Sequence, residues 1–350
     1  MDGLFDIVIR NDRLPLLDGL RLFAAISVVL YHVQIVGGIS GTFGRGYLFV
    51  DFFFLLSGFV LTIAAEDKMN TSGGAMRFLR TRAARLWPVI AIGAVIGAAF
   101  RMIETGQSVR AMLAQALLLV PDFRHAGLIF PLNGPHWSMM LEVIANLVHA
   151  LVLRKLADRS VVTLAALGGL ALAVAILGFG SATFGPDSDN WTLGFARIGF
   201  SYPLGVWLAR RWKRHQPLRV PMPQDGAWMA GLLLPITMIV LLSLLPVATA
   251  VGDMLAILVL FPPLLWFAAS ATPPRSAAKW LRLAGLLSFP LYAVHLPILE
   301  YVAGLHLGTA GLALAVLASL VAAALVAQVP SLPAALPMLR FRRRRAFPLP

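Results

Sequence analysis

Runs of about twenty apolar residues, each long enough to cross a ~30 Å hydrocarbon core as a helix, recur along the whole chain. In lipid every backbone polar group must be satisfied within the protein, so only helices or closed barrels can span. Barrel strands alternate polar and apolar residues. These runs do not alternate, so the sequence predicts an all-α, polytopic integral membrane protein. Ten spans are expected, near residues 16–37, 45–65, 86–103, 135–153, 161–180, 192–209, 227–247, 252–270, 284–304 and 308–328. Two shorter stretches, 74–85 and 109–120, read as helices lying at the interface. A chain with 59% hydrophobic and 13% charged residues lacks the surface a soluble domain of 350 residues needs. The polar first fifteen residues argue against a cleavable signal. With no cysteine, a disulfide framework, a thiolate nucleophile and a cysteine metal site are all excluded, and no metal site is expected. One membrane domain, 1–330, followed by a basic tail, 331–350, is the expected organisation.

The net charge of +13 suggests nucleic acid at first, but the placement of the basic residues argues against that partner. Of the 29 Lys and Arg residues, 23 fall before span one, in alternate turns, or in the tail "RFRRRR". Four (Arg45, Arg101, Arg110 and Arg124) fall in the other turns, and Arg21 and Arg197 lie within spans. The positive-inside bias then places both termini and the even-numbered turns in the cytoplasm, with lipid headgroups as natural contacts.

Ionisable residues inside spans are rare and usually functional, since each costs ~2.5–3.5 kcal/mol or more at a helix centre. Arg21 and His32 are eleven residues apart, so they share a helix face about 16 Å apart along the axis. Arg21 alone reads equally as a side chain snorkelling to headgroups, and His32 alone as a histidine satisfied by one interhelical hydrogen bond. Asp51 lies in the outer third of span two, and Glu142 two turns into span four. Ser138, Glu142, Asn146 and His149 form one polar stripe. His32, Asp51 and Glu142 are expected at similar depth, and a carboxylate beside an imidazole suits a general base. Asp51 could instead pair with Arg45, and Arg197 could balance Asp51 or Glu142 structurally. Arg82 and Arg85, at i and i+3, suit phosphate by their chemistry, but on spacing alone they are ordinary positive-inside charge.

Five motifs in order resemble the acyltransferase 3 family of polytopic membrane enzymes, which O-acylate cell-envelope carbohydrates. Arg21 and His32 match its Arg-x10-His marker. The stretch "VDFFFLLSGFVLT", with Asp51 and Ser57, resembles its second-span motif, and "RTRAARLWP" carries its Arg-x-x-Arg turn at Arg82 and Arg85. "HWSMMLEV" is similar to its Trp-Ser stretch at Trp137, Ser138 and Glu142, although the "VIAN" of residues 143–146 departs from the family pattern. "SFPLYAVHLPIL" resembles the late-span motif at Ser288, Tyr292 and His295.

The resemblance implies a multi-pass protein of the bacterial cytoplasmic (inner) membrane, in the short form without an esterase-like periplasmic domain. It implies an acyl-CoA co-substrate, most often acetyl-CoA, with no permanently bound cofactor, and a carbohydrate or glycolipid acceptor; a homo-oligomer is left open. Arg21, Arg82 and Arg85 become donor contacts, and His32 a general base or acyl carrier, with Glu142 and Asp51 beside it. Ser57, Trp137, Ser138, Tyr292 and His295 become substrate-side or supporting residues. Acceptor contacts are expected from the loops 104–135 and 181–192. A proton-coupled transporter or glycolipid flippase would also bury such charges, whereas a purely structural assembly subunit would need none of them.

Overall fold

The computed structural model describes residues 14–39, 41, 43–215, 220, 221, 229, 237 and 249–329. The expected span 227–247 and the basic tail 331–350 lie outside the described residues. In chain order the helices are α1 (Pro15–Gly37), α2 (Phe49–Met69), α3 (Gly74–Thr105), α4 (Arg110–Leu118), α5 (His136–Leu151), α6 (Asp158–Phe179) and α7 (Gly194–His215). There follow α8 (Thr249–Ser270), α9 (Arg275–Gly304) and α10 (Gly308–Val326). A two-residue parallel pairing of Val220–Pro221 with Ala271–Thr272 and one bridge between Leu128 and Asp187 complete the backbone pairing among the described residues. Eight helices, all but α4 and α7, are long and apolar enough to cross a bilayer. The protein is therefore an all-α polytopic membrane protein.

The local sequence explains the helix ends. α1 starts with Pro15 at its first position, where no amide donor is needed, and stops at Gly38. That glycine has φ 61°, and its N–H bonds back to the carbonyls of Gln34 and Ile35. In α8 the consecutive prolines Pro262 and Pro263 withdraw two amide donors, and the turn ahead of them, Leu255–Leu260, is wound as a π-helix.

Three boundaries differ from the sequence expectation. The stretch 74–85 is not a separate interfacial helix but the beginning of α3, which runs for 32 residues through Pro88. That length is ~48 Å, so the helix outreaches the hydrocarbon core and carries its basic first turns beyond it. α9 likewise begins at Arg275, nine residues before the expected start at 284, because nothing in 275–283 interrupts helix. The expected span 192–209 is present as α7, but α7 is too polar for a lipid-facing span, since it carries Arg197 near its start and Arg210, Arg211, Lys213 and Arg214 near its end.

α7 is polar because it is central. It packs between α2 and α6. Gly58 of α2 lies against the Tyr202 carbonyl of α7, while Gly205 of α7 lies against the Leu55 carbonyl of α2, so a Cβ at either place would strike backbone. This reciprocal close approach brings the α2 and α7 main chains together between their two ion pairs, Asp51–Arg197 and Glu66–Arg210. α9 packs most extensively against α1 and α10, and also touches α3.

The turns sort into two groups. The expected acceptor loops are joined to each other: Ile129 N–H donates to Pro186 O at 2.9 Å and Ser188 N–H to Gly127 O at 2.8 Å. In the first of these loops Arg124 donates to Asp122 through Nε at 2.8 Å and holds its carboxyl down to about 2. The turns after α2, α5 and α7 are also joined to one another. Arg154 donates to Asn70 Oδ1 at 2.9 Å, Lys213 pairs with Asp67 at 2.6 Å, and Arg210 pairs with Glu66 and with Asp158. With the positive-inside bias, the second group is expected to be cytoplasmic. Reporter fusions at Asn70 and Asp187 should report opposite compartments; the same compartment for both would end this topology.

Candidate functional site

The polar residues of α1, α2, α3, α5 and α9 converge on a cavity of about 250 Å³ that also reaches the end of α10 near Val326. Arg21, Arg82 and Arg85 line it, together with Ser57, Ser138, Glu142, Ser288 and Tyr292. Each of these side chains is delivered by helical spacing. Arg82 and Arg85 are one turn apart near the start of α3, and Ser138 and Glu142 are one turn apart on the polar stripe of α5.

Inside the cavity Glu142 Oε1 accepts hydrogen bonds from Ser57 Oγ at 2.5 Å and Arg82 Nη2 at 3.1 Å. Ser138 Oγ lies 2.9 Å from the Pro135 carbonyl and 2.6 Å from Tyr292 Oη. The carbonyl can only accept, so the serine donates to it and the tyrosine donates to the serine. Arg21 sits 3.9 Å from Asp18, one turn before it on α1. The lower part of the stripe, Asn146 and His149, meets Tyr202 of α7, whose Oη is 3.0 Å from His149 Nδ1.

His32 and His295 are not in the cavity lining, but they adjoin it through two residues that are, Phe53 and Tyr292. The Phe53 and Tyr292 rings meet edge to face at 5.5 Å, and the Tyr292 and His295 ring centroids are 6.0 Å apart. His32 Nδ1 lies 3.1 Å from His295 Nε2 and 3.0 Å from the Val28 carbonyl. His295 is fully buried, whereas His32 is half-buried.

The carboxylates expected beside His32 are engaged elsewhere. Asp51, 0% exposed, is bound by Arg197, 1% exposed, through Nη2 at 2.6 Å and Nε at 3.1 Å. The same guanidinium donates to the Phe184 and Tyr47 carbonyls and lies over the Trp137 ring at 5.3 Å. Burial selects this pairing: the bidentate Arg197 fork and its two carbonyls satisfy both charges away from water. Trp137 thus serves the ion pair and not the cavity wall. Glu142 goes to Ser57 and Arg82 because α5 turns its stripe toward α2 and α3, and the partner of the His32 ring is a second imidazole.

Arg45, the other candidate for Asp51, instead pairs with Asp253 at 2.7 Å. Asp253 also accepts from Tyr47 Oη at 2.7 Å and from the Ala182 amide at 2.8 Å, which ties the approach to α2 and the loop after α6 to α8. The sequence reading missed Asp253, although an acid at the head of an apolar span was a signal open to it. A second missed residue is Asn133. Pro297 cannot supply the amide that would bond the Ala293 carbonyl, and Asn133 Nδ2 donates to that oxygen at 2.7 Å instead.

Chemically, the site has two ends. Three guanidiniums gathered on one cavity can bind a polyanion in a directional way. The hydroxyls and imidazoles above them can bind and deprotonate a hydroxyl.

Comparison with known proteins gives the chain its family. A family model described as an acyltransferase domain matches residues 14–331. The chain is 31% identical over 195 residues to protein 2 in the picA locus of Rhizobium radiobacter, covering 48% of this chain and 97% of that protein. It is 31% identical over 199 residues to the acyltransferase MdmB of Streptomyces mycarofaciens, covering 52% of this chain and 50% of that protein. It is 26% identical over 324 residues to the O-acetyltransferase OatA of Staphylococcus aureus, covering 83% of this chain. The match spans 51% of OatA, so the chain corresponds to about half of each named acyltransferase. No solved structure matches.

Proposed function

Because the chain belongs to the acyltransferase 3 family, whose domain model it matches over residues 14–331, we propose that it moves an acyl group from acyl-CoA to a hydroxyl of an envelope carbohydrate or glycolipid. The observation that carries this reading is the convergence of Arg21, Arg82 and Arg85 on one cavity with Ser57, Ser138 and Tyr292, next to His32. The phosphates of the donor would meet the three guanidiniums at the cytoplasmic mouth, and the thioester arm would extend past Phe53 and Tyr292 toward His32. The helix rise of ~16 Å between Arg21 and His32 sets the length of that path.

In this mechanism His32 takes the proton of the acceptor hydroxyl as its oxygen attacks the thioester carbonyl. A C–O bond forms, the C–S bond breaks, and the proton returns from the imidazole to the departing CoA sulfur. Glu142 holds Arg82 and Ser57 in position. Asp51 anchors the outer half of α2 through Arg197. The similarity to OatA, an O-acetyltransferase, supports acetyl as the group moved, and the inner membrane of a bacterium is the proposed location.

The direct test is to incubate the purified full chain in lipid nanodiscs with radiolabelled acetyl-CoA and envelope membranes. Labelled glycan and stoichiometric CoA release are expected, and neither product would end the reading. The donor end is tested separately by binding. Arg85→Ala should weaken CoA binding by roughly 1.5–3 kcal/mol through loss of a charge-assisted hydrogen bond. Unchanged affinity in the alanine variants of Arg21, Arg82 and Arg85 alike would leave the three as topology residues only.

A further inference from the structure

The two imidazoles constrain each other's protons. His295 Nδ1 lies 3.1 Å from the Leu291 carbonyl and 3.0 Å from the Tyr292 carbonyl. Carbonyl oxygens only accept, so a bare Nδ1 lone pair there would face two oxygens in a buried site. His295 therefore carries its proton on Nδ1, and its Nε2 is an acceptor. The atom nearest to that acceptor is His32 Nδ1, at 3.1 Å, which also faces the Val28 carbonyl at 3.0 Å. Both neighbours of His32 Nδ1 want a hydrogen, so it carries the proton and shares it between them. The reverse arrangement, with His295 donating, would set lone pairs against three carbonyls. The ring orientation leaves His32 Nε2 without a hydrogen-bond partner among the described residues, on the half-buried ring of the pair.

We infer that His295 is a positioning residue that fixes the proton of His32 on Nδ1 and so makes Nε2 the atom that takes the proton from the acceptor hydroxyl. This rests on His32 being the base in the proposed reaction. In the transfer step the hydroxyl proton moves to His32 Nε2, while the Nδ1 proton stays on its hydrogen bond to His295 Nε2. His295 itself neither gains nor loses a proton, and the Nε2 proton leaves again with the CoA sulfur. The neutral imidazole partner does what a carboxylate does in other sites, holding tautomer and ring orientation, without a second buried charge.

The test is spectroscopic first. The full-length protein with ¹⁵N-histidine, in nanodiscs, should show His32 and His295 protonated on Nδ1, with scalar coupling across the hydrogen bond from His32 Nδ1 to His295 Nε2. A His32 ring protonated on Nε2 alone would overturn the inference, whatever the activity of any variant. Kinetics supply the second arm. His295→Leu should lower kcat on the order of 10–100-fold with KM for acetyl-CoA unchanged, as for other partners that orient an imidazole. His295→Gln can offer an amide oxygen to the same N–H and should restore most of the rate. Full kcat in His295→Leu would remove the positioning role, whereas full kcat in His32→Ala would remove the proposed base and leave the tautomers measurable on their own.

Discussion

His32→Ala should cut acyl transfer by about 10²–10⁴, the usual contribution of a positioned general base, while leaving CoA binding and folding nearly unchanged. The separation follows from geometry. The guanidiniums line the cavity, whereas His32 is not part of its lining. Its removal deletes one half-buried ring, and His295 keeps its Nδ1 hydrogen bonds to the Leu291 and Tyr292 carbonyls. The measurement is single-turnover transfer from acetyl-CoA beside calorimetric CoA binding. Near-wild-type transfer by a folded His32→Ala protein would place the base elsewhere. Loss of a proton-dependent transport activity with transfer intact would favour a transporter.

A second large effect is expected on stability. Asp51→Ala leaves Arg197 as an uncompensated charge at 1% exposure, a change that typically costs about 3–5 kcal/mol. Detergent-solubilised Asp51→Ala should therefore unfold at a much lower temperature than the parent. The Asp51→Leu, Arg197→Met double variant should recover much of the loss, since it removes both charges and keeps apolar volume. A normally stable Asp51→Ala protein that had lost transfer would return Asp51 to the reaction and refute a structural role.

These two residues show how far a single sequence carries the argument. The spans were legible because apolar length and basic turns report directly on the bilayer, and eight of the expected spans are helices of spanning length and composition. The choice of partners was not. Depth alone offered Asp51 either Arg45 or Arg197, and the answer depended on α2 and α7 touching through Gly58 and Gly205, which no periodicity reveals. Glu142 was expected beside His32 for the same reason, since similar depth on different helices says nothing about azimuth. His32 and His295 were both singled out, yet 263 residues separate them and only the packing of α1 on α9 brings the rings together. The continuity of α3 was obscured by its composition: a basic, mixed-polarity stretch ahead of a Trp-Pro pair reads as an interfacial helix with a break. One proline removes a single hydrogen bond, and the turns on either side sustain the helix across it.

That unbroken α3 has a mechanical consequence. Arg82 and Arg85 ride on the same continuous helix that crosses the bilayer further along. A loop carrying the same two residues would have to be frozen at each encounter with an anion. Here only the side-chain torsions need to settle, and the backbone entropy was already spent when the protein folded. The other walls of the mouth are the ends of α1, which carries Arg21, and of α9 and α10, so any opening and closing moves them against Arg82 and Arg85.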